Sequence, residues 1–216
     1  MEMTPKIEPS DDRLLRRMLV GNEHAFTEIY RRRHPAIYRF ALHMSGNPAM
    51  AEDVTQEVFM ALIREPGRFD PTRGSLSAFL FGIARNHLRK RWEQERRLIP
   101  MAGEPDELDD LTLPPARTNG NGHLARNSFV DEFESSDTVG LVRRAISTLP
   151  ASYREVVVLC EVEEMSYEEA AAVLDCPVGT VRSRLHRGRA ILVEKLRETH
   201  SRHASTVGKV AGRQAL

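Results

Sequence analysis

The chain has 216 residues and lacks several features that would narrow its function. Its two cysteines, Cys160 and Cys176, are too few for a disulfide framework and lie outside any metal-ligand spacing, so we expect both to be buried thiols. No apolar run approaches the length of a membrane span. The first twelve residues lack the apolar core of a signal peptide. We therefore expect a cytoplasmic protein without membrane insertion.

Signatures of catalysis are missing as well. The sequence contains no glycine-rich phosphate loop, no nucleophile elbow and no HExxH motif. Its many acidic pairs fit helix faces or a connecting segment. His200 and His203 stand three residues apart without a third candidate ligand. The sequence thus predicts no enzyme activity, no cofactor and no metal site.

The charges are balanced in number but unevenly distributed. There are 31 basic and 31 acidic residues. Residues 74–97 hold six Lys or Arg and two acids, and residues 176–202 hold seven and two. Residues 98–139, between them, hold two basic residues and nine acids. Two basic segments separated by an acidic connector indicate two contacts with one polyanion.

Residues 165–196 predict two helices joined by a tight turn. Ser166 and Glu169 form a capping box, which starts a helix over 167–174. Pro177 prevents that helix from continuing, because proline cannot extend the hydrogen-bond ladder. A second helix begins near Val178 and extends to about Arg197.

The second helix has an apolar face and an opposite polar face. An ordinary helical hairpin with a solvated basic surface is one interpretation of this pattern. The tight turn and the outward arginines favour a helix-turn-helix, whose second helix enters the major groove, where arginine can pair with guanine. The apolar face contains Val178, Val181, Leu185, Leu192 and Leu196, and the polar face contains Thr180, Arg182, Ser183, His186 and Arg187.

The first 64 residues predict three helices, the second of which is interrupted at Pro35. Asn47 and Pro48 form a strong start signal for the third. That helix carries Asp53, Gln56 and Glu57 on its outer face. This face is either a solvated acidic surface or a docking surface for a basic or mixed partner.

A longer helix, over residues 75–97, combines arginines with aromatic residues. Bases stack on aromatic rings while cations follow the phosphates, so an exposed row of this kind suits single-stranded or melted DNA. The alternative is that the aromatic side chains pack on neighbouring helices; it is favoured for Phe81 and open for Trp92. The predicted row consists of Phe81, Arg85, Arg89, Trp92 and Arg96.

The fold class predicted is all-α, with two small helical domains joined by a flexible acidic linker. The first domain spans residues 10–97, the linker 98–136, the helix-turn-helix domain 137–199, and a disordered tail 200–216. The second domain begins with a helix capped by Asp137, followed by a helix after Pro150 whose core residues include Cys160. Inward residues predicted for the helix after Asp137 are Val139, Val142, Ile146 and Leu149.

Several stretches, taken together and in order, resemble the extracytoplasmic-function (group IV) sigma factors of bacterial RNA polymerase. They cover about three quarters of the chain when the matching domains are included. The stretches are AEDVTQEVFMAL at 51–62, SLSAFLFGIARNHLRKR at 75–91, LPASYREVVVL at 149–159 and SYEEAAAVLDCPVGTVRSRLHRGRAIL at 166–192.

The resemblance implies partners that the spacing of residues could not show. They are core RNA polymerase, promoter DNA and an anti-sigma factor. Asp53, Gln56 and Glu57 match the family's D-x-x-Q-E motif, which binds the clamp helices of the β′ subunit, with the β subunit as a further contact. The acidic linker would thread toward the RNA channel of the polymerase.

The same resemblance implies two sets of promoter contacts. The helix over residues 74–97 is similar to the one that captures and helps melt the minus-10 element. The helix after Val178 is similar to the minus-35 recognition helix. The implied minus-10 residues are Arg85, Asn86, Arg89, Lys90 and Trp92, and the implied minus-35 residues are Thr180, Arg182, Ser183, His186 and Arg187.

Two other classes of protein compete with this interpretation. A stand-alone helix-turn-helix regulator, whose first domain senses a signal or dimerises, explains residues 137–199 equally well. It gives no reason for a second basic and aromatic helix or for the Asp53, Gln56 and Glu57 face. An enzyme acting on DNA would need a catalytic constellation, and the sequence offers none.

Overall fold

The computed structural model describes residues 9–98 and 137–211, with side chains described for 9–94 and 139–197. The described residues form α-helices, a 3₁₀ turn and a π-helical segment, and no strand occurs among them. This confirms the all-α prediction. The predicted linker, apart from Leu98 at its start, lies outside the described residues.

Four helices form the first domain: α1 (Asp11–Leu19), α2 (Glu23–Ser45), α3 (Pro48–Arg64) and α4 (Leu76–Leu98). A 3₁₀ turn, Pro66–Arg68, lies in the α3–α4 loop. Helix α2 is central and packs against the other three. The start signals act as predicted, because Asn22 and Asn47 accept hydrogen bonds from amides in the first turns of α2 and α3.

Pro35 does not interrupt α2, contrary to the sequence-based prediction. The helix continues through it from Glu23 to Ser45. Proline inside a helix removes one hydrogen bond and crowds the preceding turn. Here Ile29, Ile37 and Phe40, on both sides of the proline, are all buried. The burial of these side chains against α1, α3 and α4 offsets that cost.

The second domain contains α5 (Asp137–Ser147), α6 (Ala151–Val157), α7 (Tyr167–Leu174) and α8 (Val178–Ala211). Helix α6 continues directly into a π-helical segment, Val158–Val162. The predicted capping box is present: Ser166 Oγ accepts the Glu169 amide at 3.1 Å, and Glu169 Oε2 accepts the Ser166 amide at 3.2 Å. Asp175, in the left-handed conformation, ends α7 and makes the sharp turn into α8.

Helix α5 is buried only near its C-terminal end. Ile146 and Leu149 are buried as predicted, whereas Val139 and Val142 are exposed, so the prediction that they lie in the core is wrong. Helix α5 packs on α8 and α2. Its first turns extend past this contact, and periodicity within the helix cannot show where a neighbouring helix ends.

The two cysteines are half-buried rather than fully buried. Burial raises the pKa of the Cys160 thiol to about 11, and burial also raises that of Cys176. Both are therefore weak nucleophiles at neutral pH, because the thiolate is the reactive form.

Helix α8 extends further than the sequence predicted. It continues to Ala211, so the prediction of a disordered tail is wrong for residues 200–211; residues 212–216 lie outside the described chain. Extending a formed helix avoids the nucleation cost, and no proline occurs in this stretch. A polar composition by itself is therefore no signal for the end of a helix.

The two domains pack directly against each other. Helix α4 lies against α7, and α2 contacts α5, α6 and the π-helical segment. Core residues of both domains belong to one contiguous buried cluster. This packing covers one side of α4 and leaves the outer face of α8 open.

Candidate nucleic-acid interface

The outer face of α8 carries the residues predicted to contact a major groove. Arg182, Ser183, His186 and Arg187 are exposed, and Thr180 is partly buried. On the opposite face Val181 and Leu185 are buried against the rest of the domain. The predicted division of this helix is confirmed. A rigid helix with two long arginine side chains pointing to solvent can place donors at base edges.

Tyr167, the first residue of α7, lies beside this face. The guanidinium carbon of Arg182 is 5.8 Å from the centre of the Tyr167 ring, within the range of a cation–π contact. Arg189, about two turns further along α8 than Arg182, pairs with Glu161, Nε to Oε1 at 3.1 Å. Both contacts orient basic side chains of α8, and sequence reasoning identified neither partner.

Helix α4 does not present the exposed row that the sequence predicted. Phe81 is buried and meets the Phe40 ring edge to face at 5.3 Å between centroids. Trp92 is also buried, and Arg85 is only 5% exposed. The prediction of an exposed row is wrong for these three residues, because both domains pack on this helix; the packing alternative holds for both aromatic residues.

Other predicted minus-10 residues remain accessible on α4. Asn86 and Lys90 are exposed, and Arg89 is partly buried. They form an accessible part of α4 close to the buried Arg85. Arg96 lies beyond the residues whose side chains are described.

Arg85 is buried because it pairs with a residue that the sequence analysis missed. Its Nε donates to Oε1 of Glu155, on α6, at 2.8 Å. Burial raises the pKa of the Glu155 carboxyl group, and the charges of Arg85, Arg184 and Arg89 oppose that effect. A signal was present in the sequence, since Glu155 precedes three valines in a helix predicted to be core. A charged residue in such a helix needs a partner.

The neighbouring Arg154 is buried, and among the described residues its guanidinium donates to backbone carbonyl oxygens. Its Nη1 donates to the carbonyl oxygen of Met44 at 3.1 Å, and its Nη2 donates to that of Leu149 at 2.9 Å. The Met44 carbonyl lies in the last turn of α2, where carbonyl groups lack helical partners. Burial lowers the pKa of Arg154 to about 10.

The acidic face of α3 is on the surface, as predicted. Asp53 and Gln56 are exposed, and Glu57 is partly exposed. Asp53 Oδ2 is 3.1 Å from Arg91 Nη1, and Glu57 Oε2 is 4.0 Å from Arg64 Nη1. Exposed pairs of this kind contribute little to stability, so a partner can displace them at small cost.

Comparison with known proteins agrees with this architecture. Residues 29–98 match the Sigma-70 region 2 family, and residues 140–192 match the family Sigma-70, region 4. Neither is a family of catalytic domains. These matches fall on the first domain and on the helix-turn-helix domain, and together they define a two-domain transcription initiation factor.

Curated relatives identify the family more narrowly. The ECF RNA polymerase sigma factor SigE of Mycolicibacterium smegmatis is 32% identical over 210 residues, covering 95% of this chain and 75% of that protein. The ECF RNA polymerase sigma factor SigW of Bacillus subtilis is 33% identical over 178 residues, covering 82% and 92%. The chain belongs to the ECF sigma factors of RNA polymerase.

Two solved structures share the fold. One is the sigma factor RpoE of Bartonella quintana in complex with the anti-sigma factor NepR, with a TM-score of 0.55 and 26% identity, covering 80% of this chain and 96% of that one. The other is CnrH in complex with the cytosolic domain of CnrY, with a TM-score of 0.61 and 26% identity, covering 88% and 99%. Among the helices of the described ranges, none is both long and apolar enough to cross a membrane.

Proposed function

We propose that this sigma factor reads its minus-35 element through Thr180, Arg182, Ser183, His186 and Arg187. The observation that carries this assignment is the exposure of the last four on one face of α8, opposite the buried Val181 and Leu185. Phosphate contacts by the remaining basic residues of α8 would set the position of the helix. Base contacts by the arginines would then supply sequence preference.

The minus-10 contacts are assigned to α4. Asn86, Arg89 and Lys90 provide the accessible part of this surface. Arg85 joins it only when the helix-turn-helix domain moves off α4, because Arg85 is buried against Glu155 of that domain. Trp92 is also buried and must become exposed before a base can stack on it. Stacking of an unpaired base on an aromatic ring contributes roughly 1–3 kcal/mol, which favours opened over closed DNA.

We assign the binding of core polymerase to the acidic face of α3, which is formed by Asp53, Gln56 and Glu57. Helix α3 is anchored by its buried residues Val54, Val58 and Leu62, so the outer face is rigidly presented. A rigid surface loses little conformational entropy on binding.

Tethering of the two domains lets weak contacts act together. Binding of one promoter element raises the effective concentration of the other domain at the second element. Polymerase performs the chemistry, in the cytoplasm. An anti-sigma factor is proposed as a regulator, in line with the complexes formed by the two structural neighbours.

The first experiment is run-off transcription with purified core polymerase over a promoter library, with and without this protein. Transcripts that require the protein would support the proposal, and their upstream sequences would supply both promoter elements. Tight binding to duplex DNA without any transcripts would favour a stand-alone regulator.

The docking surface is tested with the variant Asp53→Ala/Gln56→Ala. We expect loss of transcription with an unchanged thermal melt, because both side chains are exposed. The matched control is Asp12→Ala, which removes an exposed acid from α1. Normal transcription by the double variant would show that the polymerase surface lies elsewhere.

A further inference from the structure

Hydrogen bonds between two side chains join the described parts of the two domains. In each of them the acceptor is a carboxylate of the second domain. Besides Arg85–Glu155, the guanidinium of Arg39 forms two bonds with Glu163, at 2.7 and 2.6 Å. Ser75, the cap of α4, donates from Oγ to Glu169 Oε1 at 2.5 Å. The first domain thus supplies donors that the second domain satisfies with carboxylates.

The Arg85–Glu155 pair differs from the other pairs in its burial. Its side chains are 6% and 2% exposed, whereas the Arg39 side chain is 44% exposed. Removing one partner of a buried pair leaves an uncompensated charge. When the second domain moves away, Arg85 loses Glu155 and becomes accessible, and a DNA phosphate can then take the place of the carboxylate.

Glu155 also lies within the field of arginines on both proposed DNA-binding helices. Besides Arg85, the side chains that act on its charge include Arg89 of α4 and Arg184 of α8. A single buried carboxylate thus sits where these two basic helices approach each other. Its negative charge offsets their mutual repulsion, which would otherwise oppose the packing of α4 near α8.

We propose that Glu155 competes with promoter DNA for Arg85, so that the isolated chain is held closed by its own helix-turn-helix domain. This inference rests on the assignment of Arg85 to the minus-10 contacts. Closure covers Arg85 but leaves Arg182 and Arg187 exposed. The closed chain retains minus-35 binding and lacks full minus-10 binding, and polymerase must hold the domains apart to restore it.

The first test measures binding of the full chain to a single-stranded oligonucleotide that carries the minus-10 sequence found by run-off transcription. Glu155→Gln keeps the side-chain size and removes the charge. The apparent affinity of the parent chain is reduced by the fraction of molecules that are closed. Because Glu155→Gln should lower this fraction, we expect the variant to bind about tenfold more tightly.

The control is Glu161→Gln, which makes the same charge change at an exposed residue paired within the second domain. We expect its affinity to stay within about twofold of the parent chain, because its pair does not cross between the domains. Equal tightening by both variants would assign the effect to net charge and overturn the proposal.

A second test locks the closed arrangement. In a background with Cys160 and Cys176 replaced by serine, Arg39→Cys/Glu163→Cys is cross-linked with a short bismaleimide. We expect the linked protein to lose minus-10 oligonucleotide binding and to keep binding of minus-35 duplex. The same protein without linker, and each single-cysteine variant, should bind both. Unchanged minus-10 binding after linking would contradict the proposal.

Arg85→Ala separates this inference from the proposed function. Because removing Arg85 also removes its pair with Glu155, the substitution is made in the Glu155→Gln background. If the double variant binds the minus-10 oligonucleotide as well as Glu155→Gln does, the assignment of Arg85 to DNA fails. If it binds more weakly while Glu155→Gln changes nothing, the assignment stands and competition by Glu155 is wrong.

Discussion

Three arginines illustrate how surroundings give one residue type different roles. Arg85 is buried beside a carboxylate, Arg154 is buried beside two carbonyl oxygens, and Arg187 extends into solvent. The first two form directed bonds because a buried guanidinium without partners is costly, although the Nε of Arg154 has no partner among the described residues. Arg187, by contrast, is exposed, so its donors are accessible to a base edge.

Substitution of Arg187 by alanine should relax base preference at one position of the minus-35 element. A bidentate arginine–guanine pair discriminates by roughly 1–3 kcal/mol. Binding of the full chain to a library of duplexes randomised over this element measures the change. Arg187→Lys is the control, since it keeps the phosphate attraction but loses the planar fork. Retention of the parental base preference by Arg187→Ala would remove this residue from the recognition set.

At the scale of an element, α8 shows how packing on one side fixes a helix whose opposite side stays exposed. Its apolar side contains Val181, Leu185 and Leu192, and Gly188 lies between the two leucines on the same side. A Cβ at Gly188 would come within 2.8 Å of Val157 Cγ2, on α6. The glycine therefore lets α6 and α8 approach closely, while a Cβ at Gly179, near the start of α8, would meet nothing within 4 Å.

The variant Gly188→Ala should destabilise the protein by about 1–3 kcal/mol, because overpacking forces α6 and α8 apart. Gly179→Ala makes the same change in the same helix and should stabilise by up to about 1 kcal/mol, the helix-propensity gain. Urea unfolding of both variants measures the contrast. Equal effects at the two positions would show that the α6–α8 contact does not require a glycine.

At the scale of the whole molecule, packing of the two domains places several arginine side chains near His43. Burial, followed by the charges of Arg143, Arg39 and Arg154, lowers the pKa of His43 to about 4. These arginines come from α2, α5 and α6, so the shift reports packing between the domains. In an unfolded chain the pKa of His43 returns to about 6.5.

Acid should therefore destabilise the folded protein through His43. Between pH 6.5 and 4 the unfolded chain binds more protons, so the free energy of unfolding falls as the pH falls through this window. The loss amounts to about 3 kcal/mol at most. His43→Gln should remove it, which unfolding curves at pH 7 and pH 4.5 would measure against the parent chain. An identical pH dependence in both proteins would contradict the assignment.

Sequence reasoning succeeded where the physical cause is local. Asn22, Asn47 and Ser166 cap helices because their side chains reach amides two or three residues away. The two faces of α8 follow from helical periodicity. The acidic face of α3 was found in the same way, through residues three and four positions apart.

It failed where the cause lies in another part of the chain. Pro35 remains inside α2 because three neighbouring helices bury the residues around it, and Val139 is exposed because α5 extends past its neighbours. No pattern within α4 could show that Arg85 would be buried against a carboxylate of the second domain.

The sequence by itself determined most helix starts, their caps, the exposed basic face of α8 and the family, because each depends on residues close together along the chain. Only the tertiary structure decided which proposed DNA contacts are accessible. Arg85 and Glu155 are separated by 70 residues, and their pairing depends on how two helical domains fill the space between them. Close packing of side chains from distant segments, rather than any local preference, places a carboxylate where a phosphate would bind.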